Sequence, residues 1–170
     1  MCIRDRNTIL LSLAVVFSLP AVAQTCGQHL DVGLPSYQSD QVLCRDGYAV
    51  GYNYQMKNAD WVAYHITADS VNASYKRSNS FKEDTELPDY ARSTLADYSG
   101  SGYDRGHLAP SATMDFSQES MTQSFLMSNM SPQLPGFNRV GWRILEEHVR
   151  DLANESVSYT HLTLPTRLPV

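Results

Sequence analysis

Between Tyr103 and Glu146 the chain gathers side chains that could together hydrolyse a phosphodiester. The stretch opens with Tyr103-Asp104-Arg105-Gly106-His107-Leu108-Ala109-Pro110 and passes through Ser128-Asn129-Met130-Ser131-Pro132-Gln133. It closes with Phe137-Asn138-Arg139-Val140-Gly141-Trp142-Arg143-Ile144-Leu145-Glu146. One imidazole, one carboxamide at the head of a helical run and a carboxylate further along that run make up its chemical content. Arginines stand beside the first two. A base, a hard-metal ligand and fixed cations suit hydrolysis of a phosphodiester. Each group also has a purely structural reading. Asp-Arg-Gly-His could be a turn in which Gly106 supplies an unusual backbone angle, with His107 packed beneath it. Asn138 could cap its helix, and Glu146 could be a solvated helix residue.

The elements that position these groups follow from residue periodicity. Tyr48-Ala49-Val50-Gly51-Tyr52-Asn53-Tyr54 and Trp61-Val62-Ala63-Tyr64-His65-Ile66-Thr67 are rich in aromatic and β-branched residues. They read as an antiparallel hairpin turning at Lys57-Asn58-Ala59-Asp60, with His65 a packing residue in the second strand. Residues 24–46, punctuated by Gly33 and Pro35, read as loop, and residues 89–102 as an exposed serine-rich loop. His107 falls on or beside a strand within residues 102–110. Ser117 caps a short helix running through Phe125, and residues 125–130 form a second strand. Pro132, Pro135 and Gly136 then interrupt the chain. A last helix is expected from Phe137 to about Ala153, burying Trp142, Leu145, Val149 and Leu152 on one face.

At 170 residues and 42% hydrophobic content the chain has room for one domain with a real core. Residues 9–22 are apolar but short for a membrane span, and Ala21-Val22-Ala23 suits signal peptidase. Residues 1–23 therefore read as a signal peptide. The expected product is secreted or periplasmic, without stable membrane association after cleavage. Cleavage leaves Cys26 and Cys44. In an oxidising compartment they most simply form one disulfide, worth roughly 3 kcal/mol, the alternative being two buried thiols. Residues 1–6 and 157–170 resemble translated sequencing-adapter sequence. With both set aside, residues 24–156 are the expected domain portion, and no strand is expected after the last helix.

The separated blocks, Asp-Arg-Gly-His, then Asn-Met-Ser-Pro-Gln, then Phe-Asn with Trp and Leu-Glu, agree in order and spacing with a known pattern. The chain resembles the DNA/RNA non-specific endonuclease family, from about Gly47 to about Ala153. The resemblance implies an α+β fold of the ββα-metal, or His-Me finger, type, with an antiparallel sheet and a metal-binding helix, incomplete at the C-terminus. It implies His107 as general base, Asn138 as the side-chain ligand to Mg²⁺ or another divalent cation such as Mn²⁺, and Glu146 as a carboxylate orienting the ion's water. Arg105 and Arg77 would neutralise the phosphate, Asp104 would brace the motif, and Asn129 would help hold the site in shape. The implied activity is cleavage of DNA and RNA with little sequence preference, leaving a 5′-phosphate.

These residue types fit those roles. Imidazole offers a free base near neutrality, and a guanidinium holds two phosphate oxygens without losing its charge. Magnesium keeps most of its waters, so one neutral oxygen ligand suffices. The formal net charge of −5 argues against a protein that coats nucleic acid, but not against an enzyme with a local cationic cleft. A catalytically silent nucleic-acid-binding module on the same fold is the alternative. The joint presence of His107, Asn138 and Glu146 speaks against it.

Overall fold

The computed structural model describes residues 26–36 and 38–155, together with the backbone of residues 160–165. The signal-peptide and leading adapter readings fall outside those residues. Two antiparallel sheets and one long helix carry the architecture. The larger sheet has the order β1-β2-β3-β6, from β1 (Gln41–Cys44), β2 (Ala49–Asn53), β3 (Asn58–Ile66) and β6 (Thr160–Pro165). The smaller pairs β4 (Asp104–His107) with β5 (Met130–Gln133). A helical segment follows β5, π-helical over Phe137–Trp142 and continuing as α4 (Arg143–Glu155). Strand, strand, helix is the ββα order that the sequence suggested.

Side chains alternate across β2 and β3, as the two-residue period of a strand requires. Val50, Tyr52, Val62, Tyr64 and Ile66 share the main core with Leu108, Ala109, Met114, Val149 and Ala153. Ala49, Trp61 and Ala63 face the other way, under the N-terminal segment that carries Cys26. Each fully buried Val or Ile contributes about 1.5–3 kcal/mol relative to exposure. The main core therefore clamps the loop after His107 between the large sheet and α4.

Several sequence expectations need correction. Residues 24–46 are not all loop, because β1 pairs with β2 from Gln41↔Tyr52 to Cys44↔Ala49. A four-residue run leaves too little periodicity to be seen, and the Cys26–Cys44 disulfide ties it down. The hairpin turn falls earlier than expected, with β3 already under way at Asn58. The second site strand is β5, three to five residues beyond the expected 125–130, where a 3-10 turn spans Met127–Asn129. Pro132 had been treated as a breaker, yet an outer strand tolerates proline because its missing N–H is not needed by a second neighbour.

A strand also follows the last helix, where none was expected. Residues 160–165 pair with β3 from Trp61↔Pro165 to Ile66↔Thr160, using an edge of β3 that β2 does not occupy. The helix itself buries a different face from the one expected. Val149 and Ala153 are inside, but Leu145 and Leu152 are each 40% exposed. The inward face runs through Glu146, Val149, Arg150 and Ala153, so two half-buried polar residues occupy the stripe that hydrophobicity alone assigns to Leu145 and Leu152. The expected short helix is found as α3 (Gln118–Ser124), with the Ser117 hydroxyl accepting from Ser120 N at 2.9 Å. The loop of residues 89–102 contains its own short helix, α2 (Leu95–Tyr98), capped by Thr94.

Candidate active site

His107 ends β4, and its ring lies among aromatic side chains. The Phe125 ring meets it edge-on with centroids 4.9 Å apart, and Phe81 lies 5.9 Å away. Two guanidiniums stack on the same aromatics. Arg105 lies 4.0 Å from the Phe81 centroid and Arg77 5.1 Å from that of Phe125. Burial, then the positive charges of Arg77 and Arg105, push the His107 imidazolium down to a pKa of about 3. The ring is therefore neutral at neutral pH. Its Nε2 is buried and has no hydrogen-bond partner among the described residues.

Gly106 does not serve an unusual backbone angle, since its φ is not positive. It permits close approach instead. A Cβ there would stand 2.1 Å from a side-chain carbon of Gln133, which is buried on β5 two residues beyond Ser131, the register partner of Gly106. The segment after His107 is held by Asn129, whose side chain is wholly buried and doubly engaged. Its Oδ1 accepts from Ala109 N at 2.8 Å, and its Nδ2 donates to the carbonyls of Ala109 and Ser124, each at 2.9 Å. Next to it, Ser128 donates to Asp84 at 2.5 Å, and Asp84 pairs with Arg45 at 2.6 Å in a buried ion pair. This network was not foreseen, because its members lie far apart in sequence and no local pattern marks them.

Asn138 sits in the π-helical turn, a form of helix often found at functional sites. Its Nδ2 donates to Asp104 Oδ2 at 3.0 Å, and no hydrogen bond among the described residues reaches its Oδ1. Asp104 also takes both oxygens' worth of Arg139, with Nε and one terminal nitrogen each at 2.8 Å. The bonds from Arg139 and then Asn138 hold the Asp104 carboxyl below its usual range. Asp104 thus links strand to helix through Asn138 and Arg139. Trp142 adds a second brace: its Nε1 donates to the His107 carbonyl at 2.9 Å. The sequence reading assigned Trp142 only to a core face.

His107, Arg105, Arg77, Asn138 and Glu146 all line one cleft of about 370 Å³. Burial raises the Glu146 carboxyl to a pKa of about 7, against the lowering pull of Arg150. Arg150 lines the cleft as well, with one terminal nitrogen buried and unpartnered among the described residues. A hard divalent cation fits this donor set. Asn138 offers an oxygen whose direction is set by the hydrogen bond its Nδ2 donates to Asp104, with the Glu146 carboxylate lining the same cleft. Among the described residues no cluster of three or more His, Cys, Asp or Glu could hold a metal, so the fit is to an ion that keeps its water.

The sequence profile of the DNA/RNA non-specific endonuclease family matches residues 26–167. A nuclease of Syncephalastrum racemosum is 42% identical over 151 residues, covering 86% of this chain and 47% of that protein. The mitochondrial nuclease of Saccharomyces cerevisiae is 45% identical over 128 residues, covering 74% and 39%. A solved complex of EndoG with EndoGI superposes with a TM-score of 0.75 at 35% identity, covering 84% of this chain and 59% of the other. The fold and site define a ββα-metal nuclease architecture, α+β in class. The chain belongs to the DNA/RNA non-specific endonuclease family. It spans about half the length of the curated relatives it matches.

The comparisons overturn the expected secreted or periplasmic location. Several similar proteins are named mitochondrial nucleases, in budding and fission yeast and in cattle. A short apolar leader identifies a targeting route only by pattern. Among the described residues no helix is long and apolar enough to cross a membrane.

Proposed function

We propose that this chain carries the catalytic ββα unit of an endonuclease that cleaves DNA and RNA with little base preference, using Mg²⁺ or another divalent cation such as Mn²⁺. The observation that carries the reading is the single cleft shared by the His107 imidazole, the Asn138 carboxamide and the guanidiniums of Arg77 and Arg105.

The proposed chemistry assigns each group one task. His107 Nε2, neutral and unpartnered, takes a proton from the attacking water. A phosphate entering the cleft brings negative charge that offsets Arg77 and Arg105, the two causes after burial that depress the imidazole, so substrate raises its basicity. Arg105 and Arg77 hold the phosphate oxygens, and their stacking on Phe81 and Phe125 fixes both planes. Asn138 would hold the cation through Oδ1, while Glu146 accepts hydrogen bonds from water beside it. A bound divalent ion supplies stabilisation of charge on the phosphate and the departing oxygen. Contacts directed at phosphate carry little sequence information, in keeping with a broad substrate range.

Incubation with supercoiled plasmid and with total RNA, in Mg²⁺ or in chelator, tests this reading. Metal-dependent degradation of both polymers supports it. Equal degradation with and without chelator, or none in Mg²⁺, overturns it.

A further inference from the structure

Two hollows of about 310 Å³ each follow the cleft in succession, the first sharing a lining residue with the cleft and the second sharing lining residues with the first. Arg105 lines both the cleft and the first hollow. Tyr98 and Tyr103 line both hollows. Beyond them, the second hollow is bordered by Lys57 at the tip of the β2–β3 turn and by Pro132 of β5. A continuous track thus leads from the catalytic groups over Arg105 and Tyr103 towards an exposed lysine.

Tyr103 stands out on this track. It is 48% exposed. Its backbone is fixed all the same: its N–H donates to Ser101 Oγ at 3.1 Å, just after Gly102 with φ of +83°. Leu95, 44% exposed, gives the first hollow an apolar side. The acidic groups nearby already have partners. Asp104 is held by Asn138 and Arg139, and Asp97 accepts from Thr94 N and Oγ1 at 2.7 and 3.0 Å.

We propose that Tyr103 is a nucleobase-stacking platform: with a phosphate held at Arg105, the adjoining base of the strand packs on the Tyr103 ring in the first hollow, and the strand continues towards Lys57. This rests on the nuclease reading above and extends it to substrate binding. The chemistry recognised is the π-face common to all bases, so affinity rises without base selectivity. It also answers the charge balance. A chain of net charge −5 gains little from counterion release, whereas stacking adds affinity that salt does not screen.

The test is fluorescence anisotropy of labelled single-stranded oligonucleotides, measured in chelator to prevent cleavage, over a salt series. A base-bearing hexanucleotide is compared with an abasic one of the same length. Parent, Tyr103→Ala, Tyr103→Trp and Arg105→Ala proteins are used, each checked for folding by circular dichroism. Tyr103→Ala is expected to weaken binding of the base-bearing strand about tenfold. Tyr103→Trp should restore it, the abasic strand should not distinguish parent from Tyr103→Ala, and the salt slope should stay that of the parent. Arg105→Ala should instead flatten the salt slope by about one. Equal affinity of parent and Tyr103→Ala for the base-bearing strand, or an equal loss on the abasic strand, overturns the platform and leaves the nuclease reading standing. A parent that binds neither strand overturns both.

Discussion

The indole Nε1 of Trp142 donates to the backbone carbonyl of His107 at 2.9 Å, joining the helical segment to the strand that presents the base. Asn138 stands one turn before Trp142 and Glu146 one turn after it. Together with the Asp104 bonds, this hydrogen bond sets the height of both groups against the imidazole. Trp142→Phe keeps a ring against Phe137, 5.7 Å away, and removes the indole N–H that serves the His107 carbonyl and Glu146. Urea unfolding should show a loss of about 1–2 kcal/mol. The turnover number should fall more than KM changes, because alignment and not substrate contact is lost. A variant with parental turnover would separate the helix position from catalysis.

Asp104 orients the Asn138 amide and anchors Arg139 at once. Asp104→Ala frees the amide to rotate and leaves Arg139 without its partner. The Mg²⁺ concentration giving half-maximal cleavage should rise by roughly 10- to 100-fold. Unchanged half-saturation would show that Asp104 does not position the proposed ligand.

Acid stability should reflect two opposed groups. His107 titrates near 3 when folded and near 6.5 when free, so the unfolded chain binds more protons between those values. Its contribution is intact above about pH 6.5 and is lost as pH falls towards 3. Glu146 is raised to about 7, so its contribution is full below about pH 4.5 and is lost as pH rises through 7. Between about pH 4.5 and 6.5 the two slopes oppose, each at most about 1.4 kcal/mol per pH unit. Glu146→Gln should therefore steepen the acid loss in that window, and His107→Ala should reverse it. Denaturant midpoints at several pH values check this, and parallel curves for all three proteins would refute it.

Gly106 should not tolerate a methyl group. Gly106→Ala would press on the buried Gln133 side chain, costing about 1–3 kcal/mol. Gln133→Ala in the same chain should recover part of that loss, as thermal unfolding of both variants would reveal. No recovery would place the requirement in the backbone instead.

The sequence displayed this site unevenly, for physical reasons. His107, Arg105, Asn138 and Glu146 were legible because they lie within one stretch and their spacing is dictated by strand and helix. Ser117 was legible because capping is local. The Arg45–Asp84–Ser128 network and the role of Arg150 were not, since both depend on tertiary approach across distant segments. The buried face of α4 was misread because Glu146 and Arg150, polar and half-buried, share it with Val149 and Ala153. Strand β1 escaped notice for its brevity, and β5 because Pro132 masks an edge strand.

The central claim is that the neutral imidazole of His107 removes a proton from water attacking phosphate. The most direct measurement is the initial rate of plasmid cleavage in saturating Mg²⁺ by parent and His107→Ala, without and with added imidazole. The variant should be slower by at least about 100-fold, and free imidazole should restore part of the rate. Cleavage by His107→Ala at the parental rate would contradict the account.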